Sequence, residues 1–194
     1  RQNNTAFLLS GGWSGFWIDG RDRFLTALAG REDLPAGCLG HLVAYVSAEN
    51  ITELFRRLGV PAEFDLLSLD IDRNTYYAWE GLDGFRPRVV TVEYNAAVPA
   101  DVDWKVRYDP NRTWDGTQNF GASLKAYELL GRRLGYSLVG CDFHGINAFF
   151  VRDDLLGDEF VEPFTAENHY EPPRYGLIHR RSHPPAILDR VEPT

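Results

Sequence analysis

Apolar residues in this chain fall into short, nearly unbroken runs separated by stretches with helical spacing. Ser14 to Asp19 reads as a buried strand ending in an acid, His41 to Ser47 as a second strand, Phe64 to Asp70 as a third and Arg88 to Asn95 as a fourth. Tyr136 to Cys141 and Ile146 to Arg152 follow, joined by Asp142-Phe-His-Gly145, a connection short enough to imply an antiparallel pair. Between these runs the pattern turns helical. Asn4 precedes a short helix from Thr5 to Ser10 that Gly11 and Gly12 stop, and Arg21 to Ala29 places Phe24, Leu25 and Leu28 on one face. Asn50 opens a helix through Leu58, with Glu53 as its capping-box partner. Thr75 to Leu82 and Gly121 to Leu134 complete the set.

This alternation predicts an α/β fold, a doubly wound and mostly parallel sheet closed by a terminal antiparallel strand pair. Ligands in such sheets bind beyond the carboxyl ends of the strands. Residues 1–152 would form this domain, and the Pro-rich, irregular residues 153–194 an extension packed on it.

Composition narrows the function. A net charge of −8 argues against a nucleic-acid partner, which needs a basic face. The densest basic stretch, His179 to His183, reads as a solvated tail. No apolar run reaches the roughly 18 residues needed to cross a bilayer, so no membrane partner is expected. Cys38 and Cys141 supply too little sulfur for a disulfide framework or a zinc site, and read as reduced thiols of a cytoplasmic protein. The chain contains no Met, from which an upstream segment is expected. A small-molecule substrate remains the expected partner, with a homo-oligomer left open.

The chemistry-bearing residues gather where strands end. Asp70-Ile-Asp72 places two carboxylates at one strand end, where they could share a hard divalent cation or provide a general base. One of them could instead cap the next helix, as could Asn74. Glu93 and Asn95 end the neighbouring run and would face Asp70 and Asp72 across one strand spacing, giving oxygen ligands suited to Mg²⁺. Asp19 is placed to accept hydrogen bonds from a ribose diol, and Glu49 and Asn50 to approach an adenine edge, although Asn50 also serves as an N-cap. Ala96 to Asn119 is long and aromatic; Trp104, Tyr108 and Trp114 would make it a substrate wall. His144, in the tight connection, reads foremost as a surface or packing residue and is the remaining substrate-site candidate.

Asp65-Leu-Leu-Ser-Leu-Asp-Ile-Asp72, Val89-Val-Thr-Val-Glu-Tyr-Asn95 and Tyr136-Ser-Leu-Val-Gly-Cys141 before Asn147-Ala-Phe-Phe-Val151 together resemble the FkbM-like group of S-adenosylmethionine-dependent methyltransferases. Asn3-Asn-Thr5 and Gly12-Trp-Ser-Gly-Phe-Trp-Ile-Asp19 are similar to the segment after that family's glycine-rich cofactor loop. The resemblance implies a Rossmann-like methyltransferase fold lacking its first strand. It implies S-adenosylmethionine as cofactor, with Asn4, Asp19, Glu49, Asn50 and Asp70 around it. Where the family often carries Asp-x-Glu-Gly, this chain has Asp-Ile-Asp-Arg73, which is closer to metal-using sugar O-methyltransferases and admits Mg²⁺ at Asp70, Asp72 and Glu93. The implied activity is O-methyl transfer to a small hydroxylated acceptor such as a sugar, with Asp70, Asp72 and Glu93 as catalytic residues. The rival readings are a metal-dependent nucleotide-sugar glycosyltransferase, to which Asp-x-Asp also belongs, and a non-catalytic binding module.

Overall fold

The computed structural model describes residues 4–22, 37–178, 183–186 and 188. Among these the chain forms α1 (Ala6–Ser10), β1 (Gly15–Asp19), β2 (Leu39–Val43), α2 (Ile51–Leu58), β3 (Glu63–Leu69), α3 (Thr75–Glu80), β4 (Arg86–Glu93), α4 (Leu124–Leu134), β5 (Tyr136–Cys141), β6 (Asn147–Arg152) and α5 (Ala166–His169). All but the first two residues of the helix expected from Arg21 to Ala29, and most of the basic stretch before His183, lie outside the described residues. No helix among the described residues is long and apolar enough to cross a membrane.

The strands do not form the doubly wound, mostly parallel sheet that the alternation predicts. They form two separate sheets: β1 and β2 pair in parallel by themselves, and the other four are ordered β3-β4-β6-β5. Only β3 and β4 pair in parallel in the larger sheet; β6 runs antiparallel to both its neighbours, β4 and β5. The hairpin turn accounts for the antiparallel strand of the larger sheet, and β1 and β2 pair with no strand of that sheet. The turn reverses the chain after β5, and β6 then inserts beside β4 rather than at the sheet edge. Coverage also differs from a sheet wrapped on both faces. Leu67, Leu69, Val90, Val92, Ala148 and Phe150 point to one face, where Tyr76, Trp79, Tyr127 and Leu130 from α3 and α4 bury them. Among the described residues, the five-residue α1 approaches the opposite face. There Phe7, Leu8 and Trp13 stand over Leu66, Val89 and Phe149 across a groove of about 590 Å³.

Element boundaries follow local hydrogen bonding. β2 ends at Val43 rather than Ser47 because the Asn50 side chain turns back on the chain. Its Oδ1 accepts from Ser47 N at 2.8 Å and its Nδ2 donates to Tyr45 O at 2.9 Å. Asn50 thus occupies the N-cap position of α2 without its side chain capping it. α4 begins at Leu124 because Ser123 Oγ accepts from Ala126 N at 3.1 Å, and Gly121 with φ 61° lies outside the helix.

The C-terminal segment docks through a buried charge. Glu128 on α4 is 2 % exposed. Its carboxylate receives Lys125 Nζ at 2.9 Å, Arg132 Nη2 at 2.8 Å and the backbone N–H of Ala166, the first residue of α5, at 2.7 Å. Further on, Tyr94 Oη donates to Glu171 O at 2.6 Å and Arg174 N to His144 O at 2.9 Å. These bonds carry residues 166–174 across one end of the four-stranded sheet.

Candidate functional site

That end of the sheet gathers the polar residues. The β3–β4 register pairs Leu69 with Val92, so the next residue of β3, Asp70, emerges beside Glu93, which closes β4. β6 starts at the same end, where Asn147 pairs with Glu93, and β5 leaves there at Cys141. Asp142, in the turn, orients Asn147 by accepting from its backbone N at 2.7 Å and its Nδ2 at 2.8 Å. Asn147 Oδ1 in turn accepts from Asn4 Nδ2 at 3.0 Å. Asp70, Asp72 and Glu93 each bring an oxygen to within 4.8 Å of the others. Among the described residues no other set of three or more acidic, His or Cys side chains converges in this way.

Asp72 has an unusual backbone. Its φ is 59°, in the left-handed region, and no other described residue except glycine has positive φ. Asp tolerates this conformation better than most residues, and strain of this kind concentrates at functional sites. The turn is fixed by Thr75 Oγ1, which donates to Asp72 O at 3.4 Å and accepts from Ile71 N at 3.2 Å. Neither Asp72 nor Asn74 caps the following helix through its side chain. The Asp72 carboxyl reaches solvent, yet protein atoms crowd it. This desolvation, reinforced by the charge of Asp70 and opposed by Arg21, raises its pKa above the ordinary carboxylate value.

The long 96–119 segment is ordered by the residues next to the cluster. Arg73, 2 % exposed, donates from Nη1 to Asn119 O at 3.3 Å and from Nη2 to Arg107 O at 3.1 Å. Asn74 Nδ2 donates to Asp109 O at 2.9 Å, and Tyr77 Oη to Val106 O at 2.8 Å. Asn95, expected beside substrate, is buried; its Nδ2 donates to Gln118 O and Phe120 O. Trp104 is likewise buried, in a small core with Val98 and Val106. Tyr108 Oη donates to Glu49 Oε2 at 2.6 Å and accepts from Ala48 N at 3.2 Å. Trp114 Nε1 donates to Thr117 O at 2.6 Å, while its ring meets that of His183 at 4.6 Å. The residues that sequence reasoning missed are therefore Arg73, Asn74, Asn147 and Asp142. Only the adjacency of Arg73 and Asn74 to Asp72 could have marked them.

The remaining candidates are dispersed around this rim. Asp19 ends β1, and its Oδ1 accepts from Arg21 N at 2.8 Å. Glu49 is held below the usual carboxylate range by hydrogen bonds, chiefly that from Tyr108. His144 lies in the turn, where its backbone N donates to Asp142 Oδ1 at 2.9 Å. A cavity of about 230 Å³ is lined by Asn95, Gln118, Phe120, Pro173, Tyr175 and His183, among others. Burial, with the nearby Glu93 charge, pushes the Tyr175 hydroxyl up to about 12.

No family model, curated protein or solved structure matches this chain. The chemistry of the rim therefore has to carry the functional reading.

One glycine couples fold to rim. A Cβ on Gly81 would come within 2.4 Å of Ala48 O, a backbone atom that cannot swing aside. Gly81→Ala should cost about 1–3 kcal/mol through overpacking and displace the Ala48–Glu49 turn from Tyr108. A lower Tm in thermal unfolding, with increased fluorescence quenching of Tyr108 by added iodide, is the expected result.

Proposed function

We propose that the chain is an S-adenosylmethionine-dependent O-methyltransferase acting on a small hydroxylated acceptor such as a sugar, working in the cytoplasm without nucleic acid or membrane. The observation that carries this reading is the convergence of Asp70, Asp72 and Glu93 at the paired ends of two parallel strands. The resemblance of these same strand ends to the FkbM-like group supports it; the sheet architecture lends it no weight.

S-adenosylmethionine, when bound, supplies an electrophilic methyl carbon on a sulfonium. The chain's task is to bring an acceptor oxygen in line with that carbon and to take its proton. Asp72 is the proposed base, because its raised pKa makes its carboxylate a stronger proton acceptor than an ordinary Asp. Asp70 and Glu93 hold the acceptor from adjoining strands, and the small cavity lined by Asn95 suits an acceptor of modest size. In the alternative in which a hard divalent cation orients the acceptor, Asp70, Asp72 and Glu93 would hold Mg²⁺ or Mn²⁺ through carboxylate oxygens, and Asp72 would then be a ligand and not the base. For the cofactor, the Asp19 carboxylate at the end of β1 is of the kind that holds a ribose diol. Both ends of the Asn50 amide already bond the 45–47 turn, so Asn50 shapes the neighbourhood without reaching a ligand.

Thermal unfolding with added ligand tests the reading. S-adenosylhomocysteine at about 100 times its Kd should stabilise the protein by about 2.7 kcal/mol, a rise in Tm of about 5 °C or more. A rise seen only with uridine or guanosine diphosphate plus Mn²⁺ would favour the glycosyltransferase, to which Asp70-Ile-Asp72 is also suited. No rise with any nucleoside ligand would favour a non-catalytic module.

A further inference from the structure

The groove between α1 and the four-stranded sheet holds two hydroxyls with no protein partner. Ser68 on β3 and Thr91 on β4 are paired across the parallel strands, and both line the groove. Thr91 is 5 % exposed and Ser68 is half-buried. Among the described residues neither side chain makes a hydrogen bond. Facing Ser and Thr in a sheet commonly bond one another, and a buried hydroxyl left without a partner is costly. Around the pair the groove is apolar. Leu66 and Val89, two residues earlier on the same strands, form the floor with Phe149, the neighbour of Thr91 on β6. Phe7, Leu8 and Trp13 form the wall. Phe7 and Trp13 keep 71 % and 43 % of their surface exposed, so α1 does not close the groove against the sheet. The other polar lining groups are engaged: Asn147 bonds Asp142 and Asn4, and Arg88 pairs with Asp65 at 3.4 Å. This leaves the Ser68–Thr91 pair to meet a ligand. The volume of about 590 Å³ lies within the range of about 300–1,000 Å³ typical of small-molecule sites, which are apolar with a few fixed polar groups.

We propose that this groove binds a flat, largely apolar small molecule carrying one hydroxyl or carbonyl group, with that group seated on Ser68 and Thr91 and its ring system between Trp13 and Phe149. Ser and Thr hydroxyls both donate and accept, so the pair can meet either group. The charged groups of the lining are already engaged, which favours a neutral ligand. The site shares no residue with the small cavity at Asn95 and stands whichever reaction the carboxylate rim performs.

Equilibrium dialysis of the full chain against 2-naphthol and against naphthalene tests this. The parent should bind 2-naphthol saturably at a single site per chain. Thr91→Val removes the hydroxyl at nearly constant shape. It should weaken 2-naphthol by about 3- to 10-fold, the worth of one hydrogen bond, and leave naphthalene within about twofold. Trp13→Ala, at a partly exposed position, should weaken both probes by about tenfold. Should Thr91→Val fail to fold, Ser68→Ala gives the same comparison from a half-buried position. No saturable binding of 2-naphthol to the parent, no selective loss of 2-naphthol in the hydroxyl variant, or parent-like binding by Trp13→Ala would each overturn the inference. Sedimentation that shows a parent dimer dissolved by Trp13→Ala, with neither probe bound, would overturn it in favour of a second copy of the chain on this face.

Discussion

Asp72→Asn is expected to lower turnover by about two to four orders of magnitude, the usual worth of a positioned base, with cofactor affinity changed by no more than about threefold. Asn is the suitable replacement because it tolerates the left-handed backbone that Asp72 adopts, so lost activity reports lost proton acceptance and not a broken turn. The same substitution should affect stability in the opposite direction. Burial and the Asp70 charge raise the Asp72 pKa in the folded protein. The ionised side chain therefore weakens the fold above that raised pKa, and the penalty disappears as pH falls through it and below the unfolded value. Because the group also reaches solvent, the penalty is no more than about 1 kcal/mol. Asp72→Asn should thus unfold about 2–4 °C higher than the parent at pH 8 and no higher at pH 3. Steady-state kinetics and thermal scans at the two pH values check both halves. Undiminished turnover would remove Asp72 from the mechanism.

Glu128→Leu should destabilise the protein. The substitution strips a buried carboxylate from three donors at once: Lys125, Arg132 and the N–H of Ala166. Lys125 can still pair with Glu167 at 2.6 Å, and Arg132 is half exposed, so both retain an outlet. The Ala166 N–H is buried and has none. Leaving that N–H buried and unpaired costs about 1–3 kcal/mol, which corresponds to a fall in Tm of about 2–12 °C. Since α5 is what Glu128 holds, protease cleavage between residues 155 and 170 should accelerate well before global unfolding. Equal cleavage rates in parent and variant would mean that Glu128 does not anchor this segment.

The sequence made the local units readable and concealed their assembly. Strand runs ending in Asp70 and Glu93 were visible because β3 and β4 are short apolar segments bounded by polar turns. That these two ends lie side by side followed from treating consecutive strands as neighbours, and the Leu69–Val92 register places them so. The antiparallel turn at 142–145 was legible from its length. What alternation of strands and helices could not reveal is the strand order. Nothing local in Asn147 to Arg152 says that this strand will pair with β4 on one side and β5 on the other. Nor could periodicity show that α1 would stand over the Leu66 and Val89 face. The aromatic 96–119 segment illustrates a different limit. Its Trp104 and its neighbour Asn95 looked like ligand contacts because they are large or polar. Both are used to fold the segment onto Arg73 and Asn74, which carried no recognisable motif.

The carboxylate rim draws on stretches as distant along the chain as Asn4, Asp70, Glu93 and Asn147. No single hairpin or helix contains it. It therefore comes into existence only after the last strand has slotted between its two neighbours, late in folding and at high loop-closure cost. A molecule seated there would lace the whole sheet together. Its binding should slow amide exchange across β3, β4 and β6 alike, like a clasp on the entire domain, and not merely quieten one loop.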